Sequence, residues 1–299
     1  MGYRSVFREG VFDGQVVIIT GGGSGIGRCT AHELSALGAT VAIVGRDPEK
    51  LAAVKGEIEA EGGRLSTHVC DIREEGQVIE TIDAVLATHG RIDALVNNAG
   101  GQYRKPLKEI STKGFEAVVR NNLTGGFIFM RETYNRWMEA HGGAIVNIIA
   151  DMWNGWPNYA HSGAARAGMW NLTESAASEW APAGVRINAV AVGGVASSGF
   201  DTYTPEAQRE ILKFPTRIPM QRYGTVSEIS AAIVYLLSPA AAFITGSCIR
   251  VDGGAPNARV CYNDFTAHHN SRPFNGFHLD AEPKLLAEGP KAEADAERL

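Results

Sequence analysis

A glycine-rich segment near the N-terminus carries the clearest chemical pattern in the chain. An apolar run at residues 16–19 leads into it, and a helix-patterned stretch follows. Glycines allow positive φ in a tight turn, let backbone approach phosphate without a Cβ, and permit close packing of helix on strand. Strand, glycine turn and helix in this order, within a full βαβ unit, place a dinucleotide's pyrophosphate on the helix N-terminus. We therefore predict nucleotide binding by Gly21, Ser24, Gly25, Ile26 and Gly27.

The end of the second predicted strand indicates which dinucleotide is bound. An acidic residue there would accept hydrogen bonds from the adenosine ribose and repel a 2′-phosphate. Gly45 occupies that place and Arg46 follows it. Because a guanidinium can hold a 2′-phosphate through charge-assisted bonds, NADP(H) is favoured, and NAD(H) stays an alternative. Asp71 is placed either to accept from the adenine amino group or to cap the following helix.

Strand-like and helix-like patterns alternate around this segment. Asp47-Pro48-Glu49 is typical of a helix start, and Gly90 of a helix end. The predicted strands are residues 16–20, 40–44, 65–70, 92–96, 144–149, 185–190 and 248–251. Long helices are predicted over 113–139 and 162–181, and a shorter helix over 226–237. Alternation of this kind predicts an α/β fold: a doubly wound parallel sheet of seven strands with helices on both faces. We assign residues 1–254 to this domain and 255–299 to a C-terminal tail that is ordered only in part.

Composition excludes several function classes. The net charge is −5 with both signs mixed, so we expect no nucleic-acid partner and no anionic membrane surface. The cysteines Cys29, Cys70, Cys248 and Cys261 lack metal-ligand spacing, so we predict reduced thiols and no metal site. No apolar run reaches membrane-spanning length and no signal-peptide core is present, which favours a cytoplasmic protein.

Over residues 10–254 the chain resembles the short-chain dehydrogenase/reductase family. The motifs that carry the resemblance are Thr20-Gly-x-x-x-Gly-Ile-Gly27, Asp71-Ile72, Asn97-Asn98-Ala99-Gly100, Asn122-Leu123-x-Gly125, Arg186-Ile187-Asn188 and Thr245-Gly246…Asp252-Gly253-Gly254. The resemblance implies a single-domain Rossmann fold, hydride transfer with NAD(P)(H) and a homotetramer. It also implies that Ile72, Asn98, Ala99, Gly100 and Val195 contribute to the cofactor site.

The chain departs from the family at the acid/base residues. The family's usual set is Ser, Tyr-x-x-x-Lys and a helical Asn. Here Ser162 stands at the tyrosine position, Arg166 at the lysine position and Ala150 near the serine position, whereas Asn122 matches. A serine hydroxyl is a poor acid and arginine hardly releases a proton, so ketone reduction by the usual relay is disfavoured.

Reduction of a carbon–carbon double bond conjugated to a thioester demands less acid/base chemistry of the residues at positions 162 and 166. Hydride adds at Cβ, the enolate oxygen needs donors, and a proton reaches Cα. Ser162 and Arg166 could supply the donor and the cation, and Arg166 would also hold the nicotinamide ribose, as the family's lysine does.

A finer resemblance supports this chemistry. Residues 97–103, 161–168 and 171–173 look like the peroxisomal trans-2-enoyl-CoA reductase branch, which also has Ser-Gly-Ala-Ala-Arg. The related 2,4-dienoyl-CoA reductases place a tyrosine fifteen residues before their lysine, and that count leads here to Asp151. We predict that Asp151 or the neighbouring Tyr159 supplies or orders the proton donor, with a turn or helix cap as the alternative for Asp151.

The substrate-facing loops are rich in aromatic residues. Trp153, Trp156 and Phe200 favour an apolar acyl or terpenoid chain, although such residues can also be core. Three functions follow: an NADPH-dependent reductase of an enoyl-CoA-like substrate; an alcohol/aldehyde dehydrogenase of the kind named citronellol/citronellal dehydrogenase in bacterial relatives; or a nucleotide-binding sensor or scaffold with little catalysis.

Overall fold

One parallel sheet forms the centre of the molecule. A computed structural model describes residues 2–197, 200, 204–258 and 270–289, apart from the side chains of residues 206 and 207. Its strands are β1 (Val16–Thr20), β2 (Thr40–Gly45), β3 (Arg64–Val69), β4 (Ala94–Asn97), β5 (Gly143–Ala150), β6 (Val185–Val192) and β7 (Cys248–Val251). They lie in the order β3-β2-β1-β4-β5-β6-β7, and every pair is parallel.

The order of the strands reverses direction at β1. β2 and β3 lie on one side of β1, and β4 to β7 lie on the other. In open α/β sheets, ligands bind outside the carboxyl ends of the strands at such a switch point. The glycine-rich segment follows β1 directly, so the fold places it at this crevice.

Helices cover both faces of the sheet, which confirms the predicted fold class. They are α1 (Gly25–Ala36), α2 (Pro48–Ala60), α3 (Glu75–His89), α4 (Thr112–Val119), α5 (Gly125–Thr133), α6 (Glu139–His141), α7 (Ala160–Trp180), α8 (Pro205–Lys213), α9 (Val226–Leu237) and α10 (Lys284–Glu288). Alternate β1 residues belong to different hydrophobic clusters: Val17 and Ile19 pack on one face, Val16 and Ile18 on the other. Both faces of β1 are therefore buried, as expected for a doubly wound sheet.

Local sequence rules set several element ends. Asp47 accepts hydrogen bonds from the N–H groups of Glu49 and Lys50 and so caps α2, as predicted. Gly90 ends α3 in the left-handed conformation, with φ of 72°. β4 starts two residues later than predicted, at Ala94. The preceding residue, Asp93, still donates its N–H to the carbonyl of Val16 at 2.8 Å, and its carboxylate accepts the Val16 N–H at 2.8 Å.

The helix predicted over residues 113–139 is not uniform. Two π-helical turns, Arg120–Thr124 and Tyr134–Met138, separate α4, α5 and α6. Hydrophobic periodicity does not reveal such turns, because each changes the phase of the helix by only one residue. The first of them carries Asn122, one of the predicted site residues.

Part of the C-terminal tail packs on the domain. Phe277 is buried against Tyr3 and lies under the Arg28 guanidinium, 5.2 Å from the ring centroid. The Phe274 carbonyl accepts a hydrogen bond of 2.6 Å from the Thr225 hydroxyl at the start of α9. Phe274 and Phe277 therefore fasten this part of the tail to α9 and α1 of the same chain. Cys261 and residues 290–299 lie outside the described residues.

We searched the described residues for membrane-spanning helices and for clusters of metal-binding side chains. Among residues placed by the structure, no helix has the length and apolar character needed to cross a bilayer. The same residues hold no group of three or more His, Cys, Asp or Glu side chains arranged to bind a metal ion.

Candidate active site

A cleft of about 1080 Å³ opens at the carboxyl ends of β1, β4, β5 and β6. Its walls come from the glycine-rich turn, the loop after β4, the segment between β5 and α7, and the segment after β6. The predicted site residues that line it are Gly21, Ser24, Gly25, Ile26, Asn98, Ala99, Gly100, Asp151, Tyr159, Arg166 and Val195. The fold therefore gathers most of the predicted site in one place.

The glycine turn is shaped by close backbone packing. Gly21 has φ of 70°, a conformation that side chains disfavour. A Cβ on Gly27 would overlap the carbonyl oxygen of Gly21 and lie 2.6 Å from Asn98 Nδ2. Larger residues at these two positions would push α1 away from the loop after β4.

The hydroxyl of Thr20 ties the ends of β1 and β4 together. It donates to the carbonyl of Val96 at 3.3 Å and accepts the N–H groups of Asn98 and Ala99, each at 3.0 Å. Asn98 Nδ2 donates in return to the carbonyl of Thr20 at 3.0 Å. Asn98 Nδ2 also donates to the carbonyl of Gly21 at 3.4 Å, so five hydrogen bonds fix the two crevice walls.

The first turn of α1 faces the cleft with unused donors. Ser24 is its N-cap residue, and the Ser24 side chain makes no capping hydrogen bond. The first N–H groups of a helix lack intrahelical partners and carry partial positive charge. Ser24, Gly25 and Ile26 line the cleft here, so this turn fits the pyrophosphate of a dinucleotide.

Arg46 and Asp71 lie beyond this turn, near each other. Arg46 is exposed and forms no ion pair with any residue that the structure describes. Hydrogen bonds from Arg73, one of 2.8 Å from its Nε, lower the pKa of Asp71 to about 2. The Asp71 carboxylate therefore holds the turn before α3 and does not cap that helix. Ile72 is buried, and a Cβ added to Gly125 of α5 would lie 2.8 Å from Ile72 Cδ1.

Asn122 fixes the loop that follows β4. Its buried side chain donates to the carbonyl of Gly101 at 2.8 Å and accepts the Gly101 N–H at 2.9 Å. The first π-helical turn supplies this geometry, because Asn122 lies within it. The loop consequently has one rigid point directly beside Gly100.

Arg166 lies on α7 at the base of the cleft. Its Nη1 donates to the carbonyl of Ile148 in β5 at 2.7 Å, and its buried Nε has no partner in the described part of the protein. A Cβ on Gly100 would overlap Arg166 Nη2 and lie 2.7 Å from Asn122 Oδ1. Burial lowers the pKa of Arg166 to about 10, so the guanidinium stays cationic near neutral pH. Its remaining N–H groups can serve the oxygens of a cofactor ribose or a substrate.

Ser162 lies one helical turn before Arg166 but beneath the surface of the cleft. It is completely buried, and its hydroxyl donates to Gln102 Oε1 at 2.8 Å. Gln102, in contrast, lines the cleft. Any hydrogen bond from this position to a substrate therefore passes through the Gln102 amide. The sequence motif contains Gln102, but its role depends on a contact with α7 that spacing does not reveal.

Asp151 and Tyr159 line the cleft from the segment between β5 and α7. Asp151 follows β5, and its N–H donates to the carbonyl of Val192 at 3.0 Å. Burial and the nearby carboxylate of Asp252 raise the pKa of Asp151 to about 6. Tyr159 is the N-cap residue of α7, so Asp151 does not cap that helix. A carboxyl group with this pKa can exchange protons near neutral pH.

Aromatic residues form the outer part of the cleft. Trp153, Trp156 and Phe200 all line it, as does Val195, which pairs with Gly224 beyond β6. Trp153 also packs against the core, so the two interpretations of these aromatics both hold for it. The segment over residues 196–220 contributes Phe200 and Phe214 to the lining, whereas residues 198–199 and 201–203 lie outside the described part.

Comparison with known proteins identifies the family. The family model described as enoyl-(acyl carrier protein) reductase matches residues 21–256, which is most of the chain. A peroxisomal 2,4-dienoyl-CoA reductase [(3E)-enoyl-CoA-producing] of Danio rerio is 33% identical over 255 residues, 85% of each chain. The protein belongs to the short-chain dehydrogenase/reductase family. It is therefore an oxidoreductase of the NAD(P)-binding type.

Solved structures of this short-chain dehydrogenase/reductase family match the fold closely. A citronellol catabolism dehydrogenase (AtuB) of Pseudomonas aeruginosa PAO1 is 55% identical, with a TM-score of 0.77, and covers 85% of this chain and 100% of its own. A gluconate 5-dehydrogenase of Burkholderia cenocepacia J2315, solved in complex with NADP and tartrate, is 31% identical with a TM-score of 0.77, covering 84% and 99%.

Gly100→Ala tests the packing around Arg166. We expect a loss of about 1–3 kcal/mol in the free energy of unfolding, because the new methyl group would displace the guanidinium or the Asn122 amide. NADPH affinity should fall with it. Urea unfolding and a titration of NADPH fluorescence measure the two effects.

Gly56→Ala provides the matched control. Gly56 lies in α2, and a Cβ there meets no atom within 4 Å. This change should leave NADPH affinity unaltered and stabilise the protein by about 0.5–1 kcal/mol. Equal stability and NADPH affinity in Gly100→Ala and the wild type would contradict the described packing.

Proposed function

We propose that the protein reduces, with NADPH, a carbon–carbon double bond conjugated to a thioester carbonyl, as in a trans-2-enoyl-CoA. One observation carries this proposal: the cleft holds a permanent cation, Arg166, and a carboxyl group of pKa about 6, Asp151. Cation and acid are the two groups that an enolate needs. The tyrosine and lysine of the family's usual relay are replaced by Ser162 and Arg166.

The reaction needs a hydride, a cation and a proton. A nicotinamide cofactor supplies the hydride when bound. As the hydride and its electron pair reach Cβ, the π electrons move to the thioester carbonyl and create an enolate. Arg166 stabilises the negative oxygen through charge and N–H donors, and keeps its own protons because arginine remains charged.

Asp151 completes the reaction by protonating the enolate at Cα. Its carboxyl group donates the proton, the enolate returns to the carbonyl form, and the carboxylate is reprotonated from solvent. Half-burial on the cleft wall suits this role, since a fully exposed aspartate would be ionised at neutral pH. Tyr159, on the same wall, is the second candidate to supply or order this proton.

The apolar outer cleft supports an acyl chain as substrate. Trp153, Trp156 and Phe200 offer aromatic surface at the mouth. Such surface binds an alkyl chain through burial and gives little recognition of a polyol. The dienoyl-CoA reductase named above acts on a related class of thioester, which agrees with this choice.

A second candidate function has its own support. The structure of a citronellol catabolism dehydrogenase is 55% identical to this chain. An acyclic terpenoid alcohol or aldehyde would fit the same apolar cleft. In oxidation of the alcohol, an ionised Asp151 would accept the hydroxyl proton. The rate of that oxidation would therefore rise with pH.

Rates with an enoyl thioester and with a terpenoid distinguish these functions. With a medium-chain trans-2-enoyl-CoA and NADPH, we expect wild-type kcat to fall as pH rises through about 6, because Asp151 must be protonated to act. Asp151→Asn should lower kcat by about 100-fold or more and remove this pH dependence. Tyr159→Phe, measured in parallel, shows whether the phenol shares the task.

Several outcomes would count against this proposal. Full turnover in both Asp151→Asn and Tyr159→Phe would show that neither supplies the proton. Activity restricted to citronellol with NADP⁺ or NAD⁺, or to citronellal, would favour the second function. NADPH binding without turnover of either substrate class would favour a sensor or scaffold.

We also propose that Arg46 selects NADPH. Its exposed guanidinium follows β2 and is not paired with any described carboxylate, so a 2′-phosphate can bind it. Arg46→Ala should weaken NADPH binding about 10- to 100-fold and leave NADH binding within twofold, because only NADPH carries that phosphate. Fluorescence titration of both cofactors measures this.

Arg8→Ala is the control for the loss of one positive charge. Arg8 is also exposed, and it lies outside the cleft. The Arg8→Ala change should leave the affinities for NADPH and for NADH unchanged. Equal affinities for NADPH in Arg46→Ala and the wild type would remove the basis for this preference.

A further inference from the structure

The contact between Ser162 and Gln102 sets the orientation of an amide at the edge of the cleft. Ser162 Oγ donates to Gln102 Oε1 at 2.8 Å. An amide group is planar, and its oxygen and nitrogen point in different directions. Because the oxygen faces buried Ser162, the NH₂ group faces away from α7. Gln102 Nε2 has no hydrogen-bond partner among the described residues, and Gln102 lines the cleft.

The donor of this hydrogen bond, Ser162, is held rigidly. Ser162 is completely buried on α7, and its backbone N–H donates to His161 Nδ1 at 3.0 Å. The buried ring of His161 stands edge-on to Tyr103 with ring centroids 4.5 Å apart. This packing keeps Ser162 at one position beneath the loop.

The backbone of Gln102 is equally well held. The preceding residue, Gly101, is fixed by both hydrogen bonds of Asn122. The side chain is thus fixed at its backbone by Asn122 and at its oxygen by Ser162. Because this side chain is already ordered, it loses little conformational entropy when its amide donates to an acceptor on the substrate.

Gln102, in the loop after β4, and Arg166, on α7, both line the cleft. Ser162 and Arg166 are four residues apart on α7, so their Cβ atoms lie about 5–6 Å apart. Gln102 covers Ser162, whereas Arg166 Nη2 lies against Gly100 of the same loop. A neutral donor and a cationic donor therefore line one cleft, each in contact with α7 or part of it.

We propose that the Gln102 amide NH₂ donates a hydrogen bond to the carbonyl oxygen of the substrate, and that Ser162 is the positioning residue that directs this amide. The proposal rests on the proposed alkene reduction, in which that oxygen becomes an enolate. An amide donates without giving up its proton, so it stabilises the enolate oxygen and leaves protonation to occur at Cα.

Gln102→Glu tests the donor. The change keeps the shape of the side chain but replaces NH₂ with oxygen. We expect kcat for an enoyl thioester to fall about 100-fold, the usual effect of losing one oxyanion donor. NADPH affinity should stay within twofold. Affinity for the saturated acyl thioester of the same length, measured by tryptophan fluorescence, should also fall.

Ser162→Ala tests the positioning role. The amide would lose the partner that orients its oxygen, so we expect a decrease in kcat of about 5- to 10-fold with unchanged thermal stability of the NADPH complex. Ser162→Cys, which keeps a weak donor, should recover part of the loss. A purely structural serine would instead alter stability and leave kcat near the wild-type value.

The outcomes separate this proposal from the function on which it rests. Suppose that the wild type reduces the enoyl thioester, and that Gln102→Glu shows the same kcat and the same affinity for the saturated thioester. The role of Gln102 would then be wrong, while the proposed function would stand. If the wild type reduces no conjugated thioester, the proposed function fails and this assignment fails with it.

Discussion

The fixed position of the Arg166 guanidinium is the constraint on which the cleft depends. Arg166 donates to the carbonyl of Ile148 in β5, and the loop after β4 passes so close that a Cβ at position 100 would overlap Arg166 Nη2. Asn122 then fixes the next residue of that loop from a π-helical turn. Three distant parts of the chain are therefore positioned relative to one charge.

That charge limits the chemistry of the site. Lysine beside tyrosine lowers the pKa of a phenol and lets it pass a proton to an alkoxide. Arginine beside a buried serine cannot do this, because neither side chain releases a proton readily. What remains is stabilisation of negative charge, together with a separate acid. Asp151, whose pKa is raised to about 6 by burial and by Asp252, is suited to act as that acid.

Much of the fold follows from local patterns in the sequence. The alternation of apolar strands and amphipathic helices predicts the parallel sheet, and the Asp47 cap and Gly90 stop lie where turn chemistry places them. The glycine turn is equally predictable, because its function requires positive φ and close packing. The contact between the Asp93 carboxylate and the backbone N–H of Val16 is not, since it joins residues 77 positions apart.

The site was harder to predict than the fold for a physical reason. Sequence motifs locate Asn122, Ser162 and Arg166, but they do not show which atoms face the cleft. Ser162 proves to be buried and donates to Gln102, and the Thr20 hydroxyl joins two strands 76 residues apart. Such contacts join residues that are distant in the sequence, so neither periodicity nor spacing reveals them.

The fate of the transferred hydride tests the central claim most directly. An enoyl thioester would be reduced once with NADPH deuterated at the transferred C4 position, and once with ordinary NADPH in D₂O, and each product examined by NMR. We predict deuterium from the cofactor at Cβ, deuterium from solvent at Cα, and an intact thioester. Deuterium on the carbonyl carbon of an aldehyde or alcohol product would contradict enolate chemistry in this cleft.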